Sequence, residues 1–266
     1  MSYRGAFDGS ARELVVAVVA LSREQGLSVT AAGVAYYTFT ALLPMLVLGV
    51  LAVSASGYVG LAAERVTVLA NVSPRNVLVV AQAVEESQGF GRLTALATAV
   101  ATWSSLSLGH TVSQVFEDVY EDVGHTPLER IADVVVVFLT WLAALLLVLA
   151  VGIALAFLQS AVVVSVGWPL VLFVALVAVF LPMYLVFPNA VSFRDALPGT
   201  AFAAAVWTLS ALVLRAYAMA APTVRLFGAV GAVLLVLTWL YVGSLALLVG
   251  AATNAVLAER PRKPRT

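Results

Sequence analysis

Residues 134–158 read VVVVFLTWLAALLLVLAVGIALAFL, and from there to Ala258 the only charged side chains are Arg194, Asp195, Arg215 and Arg225. A soluble domain of this size keeps a large polar surface and cannot hide so much apolar side chain. The solvent for this stretch is lipid. A crossing helix needs about 20 apolar residues to traverse a hydrocarbon core of about 30 Å. The run from Ile131 to Val166 is therefore too long for one crossing. Gln159, Ser160, Gly167, Trp168 and Pro169 punctuate it, which predicts one span over 131–158 and another over 169–187. Pro188-Asn189 ends the second, Pro198-Gly199 opens a span over 197–219, and a last span covers 229–257 after the loop Pro222 to Gly228.

Upstream of this stretch the pattern is more varied. Ser10 and Glu13 have capping-box spacing, and Leu14, Val15, Val18 and Leu21 follow at helical period. Gly26 is the stop signal. This predicts an N-terminal amphipathic helix lying on the membrane interface. Ala31 to Val53 is long enough to span, so Val53-Ser54-Ala55 is not read as a signal-cleavage site despite its likeness to one. The expected first span is 31–54, kinked at Pro44. A polar stretch over 57–92 precedes a span over 93–115, which runs into the acidic end Glu117-Asp118-Val119-Tyr120-Glu121-Asp122.

The expectation is one all-α domain over 1–266, an integral membrane bundle of six transmembrane helices with that interfacial helix before it and a basic tail over 258–266. Six spans put both ends on one side, and basic residues decide which. With the ends inside, the cytoplasmic set is Arg4, Arg12, Arg23, Arg130, Arg194, Arg260, Arg262, Lys263 and Arg265, against Arg65, Arg75, Arg92 and Arg225 outside. This predicts a multi-pass cell-membrane protein with both termini cytoplasmic. The composition agrees: 62% of residues are hydrophobic, only 11% are charged, and mean hydropathy is +1.04. There is no cysteine, which excludes disulfides and thiolate metal sites. No internal repeat supports an inverted-repeat transporter.

Several polar groups stand out against this background. Arg194-Asp195 lies at a span junction, either to meet a lipid phosphate or to cap the span and anchor it at headgroup level. Arg215, near the outer end of the fifth span with Tyr217 beside it, either holds an anionic headgroup or snorkels. Tyr36, Tyr37, Thr38 and Thr40 crowd the first span, and Trp103, Ser104, Ser105 and Ser107 the second. The two sets either line a polar groove or serve as glue between helices. Glu117, Glu121 and His125 follow helical spacing but read as a solvated acidic end. His110 reads as a packed residue. Gly228-x-x-Gly231, Gly243 and Gly250 thin the last span, for close contact within the chain or across a dimer.

Ala31-Ala32-Gly33-Val34-Ala35-Tyr36-Tyr37-Thr38 leading to Leu43-Pro44, then Trp103-Ser104-Ser105, resemble the first two spans of the YihY/BrkB family. Pro188-Asn189-Ala190-Val191-Ser192-Phe193-Arg194-Asp195-Ala196-Leu197-Pro198-Gly199 resembles its most recognisable loop, which adds Asn189 to the candidate contacts. Phe227-Gly228-Ala229-Val230-Gly231-Ala232-Val233, Trp239-Leu240-Tyr241 and Gly250-Ala251-Ala252-Thr253-Asn254-Ala255 resemble its last span. The resemblance implies a six-span inner-membrane protein, with transport of amphiphiles as one role connected with the family. This chain departs from the family in having Ala252 in place of a usual Glu, Phe227 in place of a frequent Tyr, and an acidic loop after the second span.

The functional expectation is transport or flipping of an amphiphilic, anionic envelope component. Arg194, Asp195, Arg215, Tyr36, Tyr37, Trp103, Ser104 and Asn189 are the candidate headgroup contacts. The alternative is a scaffold for envelope assembly, and a ribonuclease-like enzyme is the remaining class. No P-loop, zinc-hydrolase motif or nucleophile elbow is present. No enzyme activity, metal or cofactor is therefore expected. The partners expected are membrane lipids, with self-association left open and nucleic acid excluded by the lack of a basic surface. A cavity between the spans distinguishes transport from a filled, scaffolding bundle.

Overall fold

The computed structural model describes residues 11–56, 90–120, 127–157, 167–186, 192–220 and 228–258. Among these, the secondary structure consists of seven helices and no strands. They are α1 (Ala11–Glu24), α2 (Leu27–Ser56), α3 (Phe90–Tyr120), α4 (Pro127–Phe157), α5 (Trp168–Val186), α6 (Phe193–Ala220) and α7 (Gly228–Ala258). Each stretch anticipated as a span coincides with one of α2 to α7 to within a few residues.

Trp168–Val186, Phe193–Leu214 and Val233–Ala258 are long and apolar enough to cross a membrane. α1 and Leu27–Leu42 qualify together as one span bent by 65°, giving up to four among the described residues. α4 adds a shorter apolar stretch, Val135–Val148. α3 is diluted by Ser104, Ser105, Ser107, His110, Thr111 and Ser113. The chain is thus a helical membrane protein in which the described crossings number three to four.

The end of α1 falls where the sequence reading put it; how α1 sits and where α6 begins are the two differences. The break between α1 and α2 sits at Gly26, whose φ of 61° is open to glycine at little steric cost. α1 lies against α7 and touches α2. Val18 is buried in the core, and Leu14, Ala17 and Leu21 pack on it, yet Val15, Val16 and Val19 are exposed. The N-terminal helix is therefore docked on the bundle and carries apolar residues on both sides. The second difference is that α6 begins at Phe193, ahead of Pro198-Gly199. Ser192 caps it: its carbonyl accepts from the amides of Asp195 and Ala196 at 2.9 and 3.0 Å, and its hydroxyl donates to Asp195 Oδ2 at 2.6 Å.

The helices close a ring in which each of α2 to α7 packs on the next and α7 returns to α2. α3 also touches α7 across the ring. The seam of α6 on α7 is built from small residues. Ala196, Gly199, Thr200, Ala203 and Ala204 of α6 are buried with Gly243, Gly250, Ala251, Ala252 and Ala255 of α7. Small residues let two membrane helices approach closely. A Cβ placed on Gly199 would collide with the Gly250 carbonyl, and one on Gly250 would lie 2.5 Å from the Tyr184 hydroxyl.

Candidate functional site

The middle of the ring is filled by aromatic rings. Trp207 of α6 meets Trp141 of α4, Phe180 of α5 and Trp239 of α7 at centroid distances of 5.6, 5.5 and 5.2 Å, all edge to face. Its indole donates to the Gly243 carbonyl at 3.0 Å. Trp239 donates to Ser210 Oγ at 3.1 Å, and Ser210 donates to the Trp207 carbonyl at 2.8 Å. Gly243 is open enough for this because its missing Cβ would fall 2.7 Å from the Trp207 ring.

Nearer the end where α6 starts and α7 finishes, Asn254 clips the two helices together. It accepts from Gly199 N at 2.6 Å and donates to the Ala196 carbonyl at 2.8 Å, fully buried. Pro198 brings no N–H and disturbs the turn at this point. Tyr184 of α5 joins by donating to the Leu247 carbonyl at 2.6 Å. Its ring lies 5.7 Å from Phe116 of α3, which stacks on Tyr120 at 6.1 Å. Beyond the expected second span, burial pushes the Tyr120 hydroxyl well above its ordinary range, offset in part by the Asn254 side chain. That hydroxyl faces Asn254 without closing a hydrogen bond of good geometry.

On the other side of the ring a cleft runs between α2, α3 and α4. It is bordered by Thr38, Ala41, Leu42 and Met45, by Ser105 and Leu108, and by Phe138, Trp141, Leu142 and Leu145. Thr38, Ala41, Leu108 and Trp141 are buried and form its floor, while the others are half-buried. Its free volume is about 20 Å3, room for about one water.

The anticipated polar groove divides between two faces. Tyr36, Tyr37 and Trp103 do come together, with centroids 5.6 and 5.9 Å apart. Tyr36 and Trp103 are 55% and 53% exposed, so this aromatic chain lies on the outside of α2 and α3. Ser104 turns inward, with no exposed surface. Arg194 is exposed on the first turn of α6, and Asp195 is half-buried beside the cap. The Arg215 side chain and Asn189 fall outside the described residues, as do Glu121 and His125. His110, anticipated as packed, is exposed on α3. No group of side chains suited to a metal occurs among the described residues. Ala252 is fully buried, so a carboxylate there would enter the packed seam.

Trp141, Trp207, Tyr184 and Asn254 were not singled out from sequence as site residues. One distinction sets them apart. Among the described residues, four buried polar atoms have no hydrogen-bond partner: Ser22 Oγ, Ser104 Oγ, Tyr120 Oη and Trp141 Nε1. All belong to α1, α3 or α4. The buried Tyr184, Thr200, Trp207, Thr208, Ser244 and Asn254 of α5 to α7 are all paired.

Searches of curated proteins and of solved structures return no match for the chain. A family description, Virulence factor BrkB, matches residues 18–266. That match takes in α2 to α7, the aromatic centre and the clipped α6–α7 seam, and the chain belongs to the virulence factor BrkB family.

Proposed function

We propose that this protein crosses the cell membrane six times with both termini in the cytoplasm, and that it moves an amphiphilic, anionic envelope component along the α2–α4 side of the ring. The observation carrying this reading is that the unpartnered buried polar atoms among the described residues belong to α1, α3 and α4 and none to α5–α7. An unpartnered buried group costs free energy and asks for a ligand, a water or a second conformation. A transporter needs a fixed platform and a side that opens, and the paired α5–α7 half supplies the platform. Arg194, exposed at the start of α6, and Arg215 are the proposed headgroup contacts, with Tyr36, Tyr37 and Trp103 along the lipid-facing route. The protein acts without catalysis, and membrane lipids are its partners.

Lipid scrambling in proteoliposomes tests this, comparing the native chain with Arg194→Ala and Arg215→Ala. Native scrambling above empty liposomes, reduced in both variants, is expected. Native protein that performs no better than empty liposomes contradicts intrinsic flipping. Orientation is tested separately. The absence of cysteine gives a clean background, and a cysteine at Ser87 should label from outside the cell. Labelling from the cytoplasm alone contradicts the topology.

A second reading, a membrane scaffold without transport, is favoured by the filled centre around Trp207. A scaffold keeps that centre filled throughout its working cycle, so scrambling separates the two readings.

A further inference from the structure

Read by period alone, Leu14, Val15, Val18 and Leu21 form one apolar face of α1. The structure divides that set. Leu14, Ala17, Val18 and Leu21 turn toward the core. Val15 is 60% exposed, and Val16 and Val19 join it outside at 59% and 44%. Arg12 and Arg23 are exposed as well. A helix turns about 100° per residue, so Arg12, Val15, Val16, Val19 and Arg23 project within an arc of about 100°. Glu13 and Glu24 project about a third of a turn away from the middle of that arc. The outward strip is thus three valines with an arginine at each end and no carboxylate. Its place in the bilayer follows from the chain. Only Gln25 and Gly26 separate α1 from α2, and α1 turns 65° from the line of Leu27–Leu42. Its 14 residues measure about 21 Å, of which only about 9 Å advances along α2. The turn after it is held to the end of α3, where Gln25 Nε2 donates to the Asp118 carbonyl at 3.4 Å. A helix tied so closely to a crossing helix, and inclined so strongly to it, stays at one membrane interface.

We propose that the outward strip of α1 is a docking surface for anionic phospholipid of the bilayer that α2 crosses. Val15, Val16 and Val19 enter the upper acyl region, and Arg12 and Arg23 each meet a headgroup phosphate. The two arginines stand 11 positions apart, about 16 Å along the helix, so they take separate lipids. A guanidinium fork matches phosphate oxygens, and an anionic leaflet attracts basic side chains held at its surface. A zwitterionic headgroup leaves the valines equally well covered but brings no net charge to the arginines. The inference rests on α2 crossing the membrane, and it stands whether or not the protein moves lipids.

With no native cysteine, Val16→Cys carrying an environment-sensitive fluorophore tests the proposal in nanodiscs holding one chain each. Phosphatidylcholine discs are compared with discs of mixed phosphatidylcholine and phosphatidylglycerol, both with brominated acyl chains as quenchers. The same fluorophore at Tyr36→Cys, on the outside of α2, controls for the crossing. The expected result is quenching at Val16→Cys that strengthens with phosphatidylglycerol. Arg12→Gln with Arg23→Gln should abolish that gain, and Arg12→Lys with Arg23→Lys should keep most of it. Equal quenching in the two lipids, or a gain that survives the glutamine pair, overturns the proposal. Quenching at Tyr36→Cys with none at Val16→Cys puts the strip in water and overturns the proposal while leaving the crossing intact. No quenching at either position overturns the crossing as well. Shielding of Val16→Cys from aqueous iodide only in discs that hold two chains gives the strip to a second copy and also overturns the proposal.

Discussion

The α6–α7 seam and the α2–α3–α4 quarter are built from similar alphabets of alanine, leucine, valine and hydroxyl residues, yet they differ in how they treat polar groups. In the seam, glycines bring the backbones together and Asn254 joins them through two hydrogen bonds. In the quarter, Trp141 and Ser104 are equally hidden but unpartnered, and Trp141 borders a cleft. In lipid, apolar burial alone does little to hold helices together, so packing and hydrogen bonds decide where a bundle is rigid. The comparison teaches that the seam is the fixed part and the quarter the part open to change.

The strongest attempt to break this contrast is to add volume to the seam. Gly250→Leu should prevent folding, because a side chain there meets Tyr184 and the Gly199 backbone. Overpacking ordinarily costs ~1–3 kcal/mol and more against backbone. Loss of the monodisperse peak in detergent is the expected readout, and a normally folded Gly250→Leu protein contradicts the seam.

Next in size, Asn254→Ala removes two hydrogen bonds and leaves Gly199 N–H buried. About 2–4 kcal/mol of stability should go, since each abandoned buried group costs about 1–3 kcal/mol. Thermal unfolding in detergent measures it. Trp207→Phe should cost about 0.5–1.5 kcal/mol, because it removes the indole hydrogen bond to the Gly243 carbonyl. Ser104→Ala should fall within about 0.5 kcal/mol of native or stabilise, because it deletes a group with nothing to lose. If Ser104→Ala destabilised as much as Trp207→Phe, the contrast would fail.

The smallest effect is one of pH. Folding holds the Tyr120 proton more tightly than the unfolded chain does. Its contribution is therefore complete below the ordinary tyrosine value of about 10 and is lost as pH rises beyond it. Tyr120→Phe should leave neutral-pH stability nearly unchanged and flatten the alkaline decline in a pH series of melts.

The helices were legible in the sequence because apolar run lengths and the punctuation at Pro169, Pro188 and Gly228 report directly on crossing length. The site was less so. A soluble helix declares its inward face by polar contrast, but lipid removes that contrast. Nothing in Trp103-Ser104 says which residue turns inward, and the structure sends Trp103 out and Ser104 in. Gly243 and Gly250 announced a close contact but not its partners, Trp207 and Gly199, which are distant in the chain. Asn254 entered the sequence reading only as part of the run Gly250 to Ala255. Its task as a clip emerges only once Pro198-Gly199 is folded against it. The prolines at 188 and 198 do not mark the start of α6, which is set by Ser192 through a local, polar cap.

Thr38→Cys and Ala203→Cys offer the most direct test of the difference between quarter and seam. Thr38 is 3% exposed on the cleft and Ala203 is 0% exposed on α6, so the static structure hides both alike. With no native cysteine, methyl methanethiosulfonate modification in nanodiscs reports only how often each site opens. Faster modification at Thr38→Cys, with Ala203→Cys protected until the protein unfolds, is the result predicted here. Equal protection, or faster reaction at Ala203→Cys, would contradict the assignment of a fixed seam and an openable quarter.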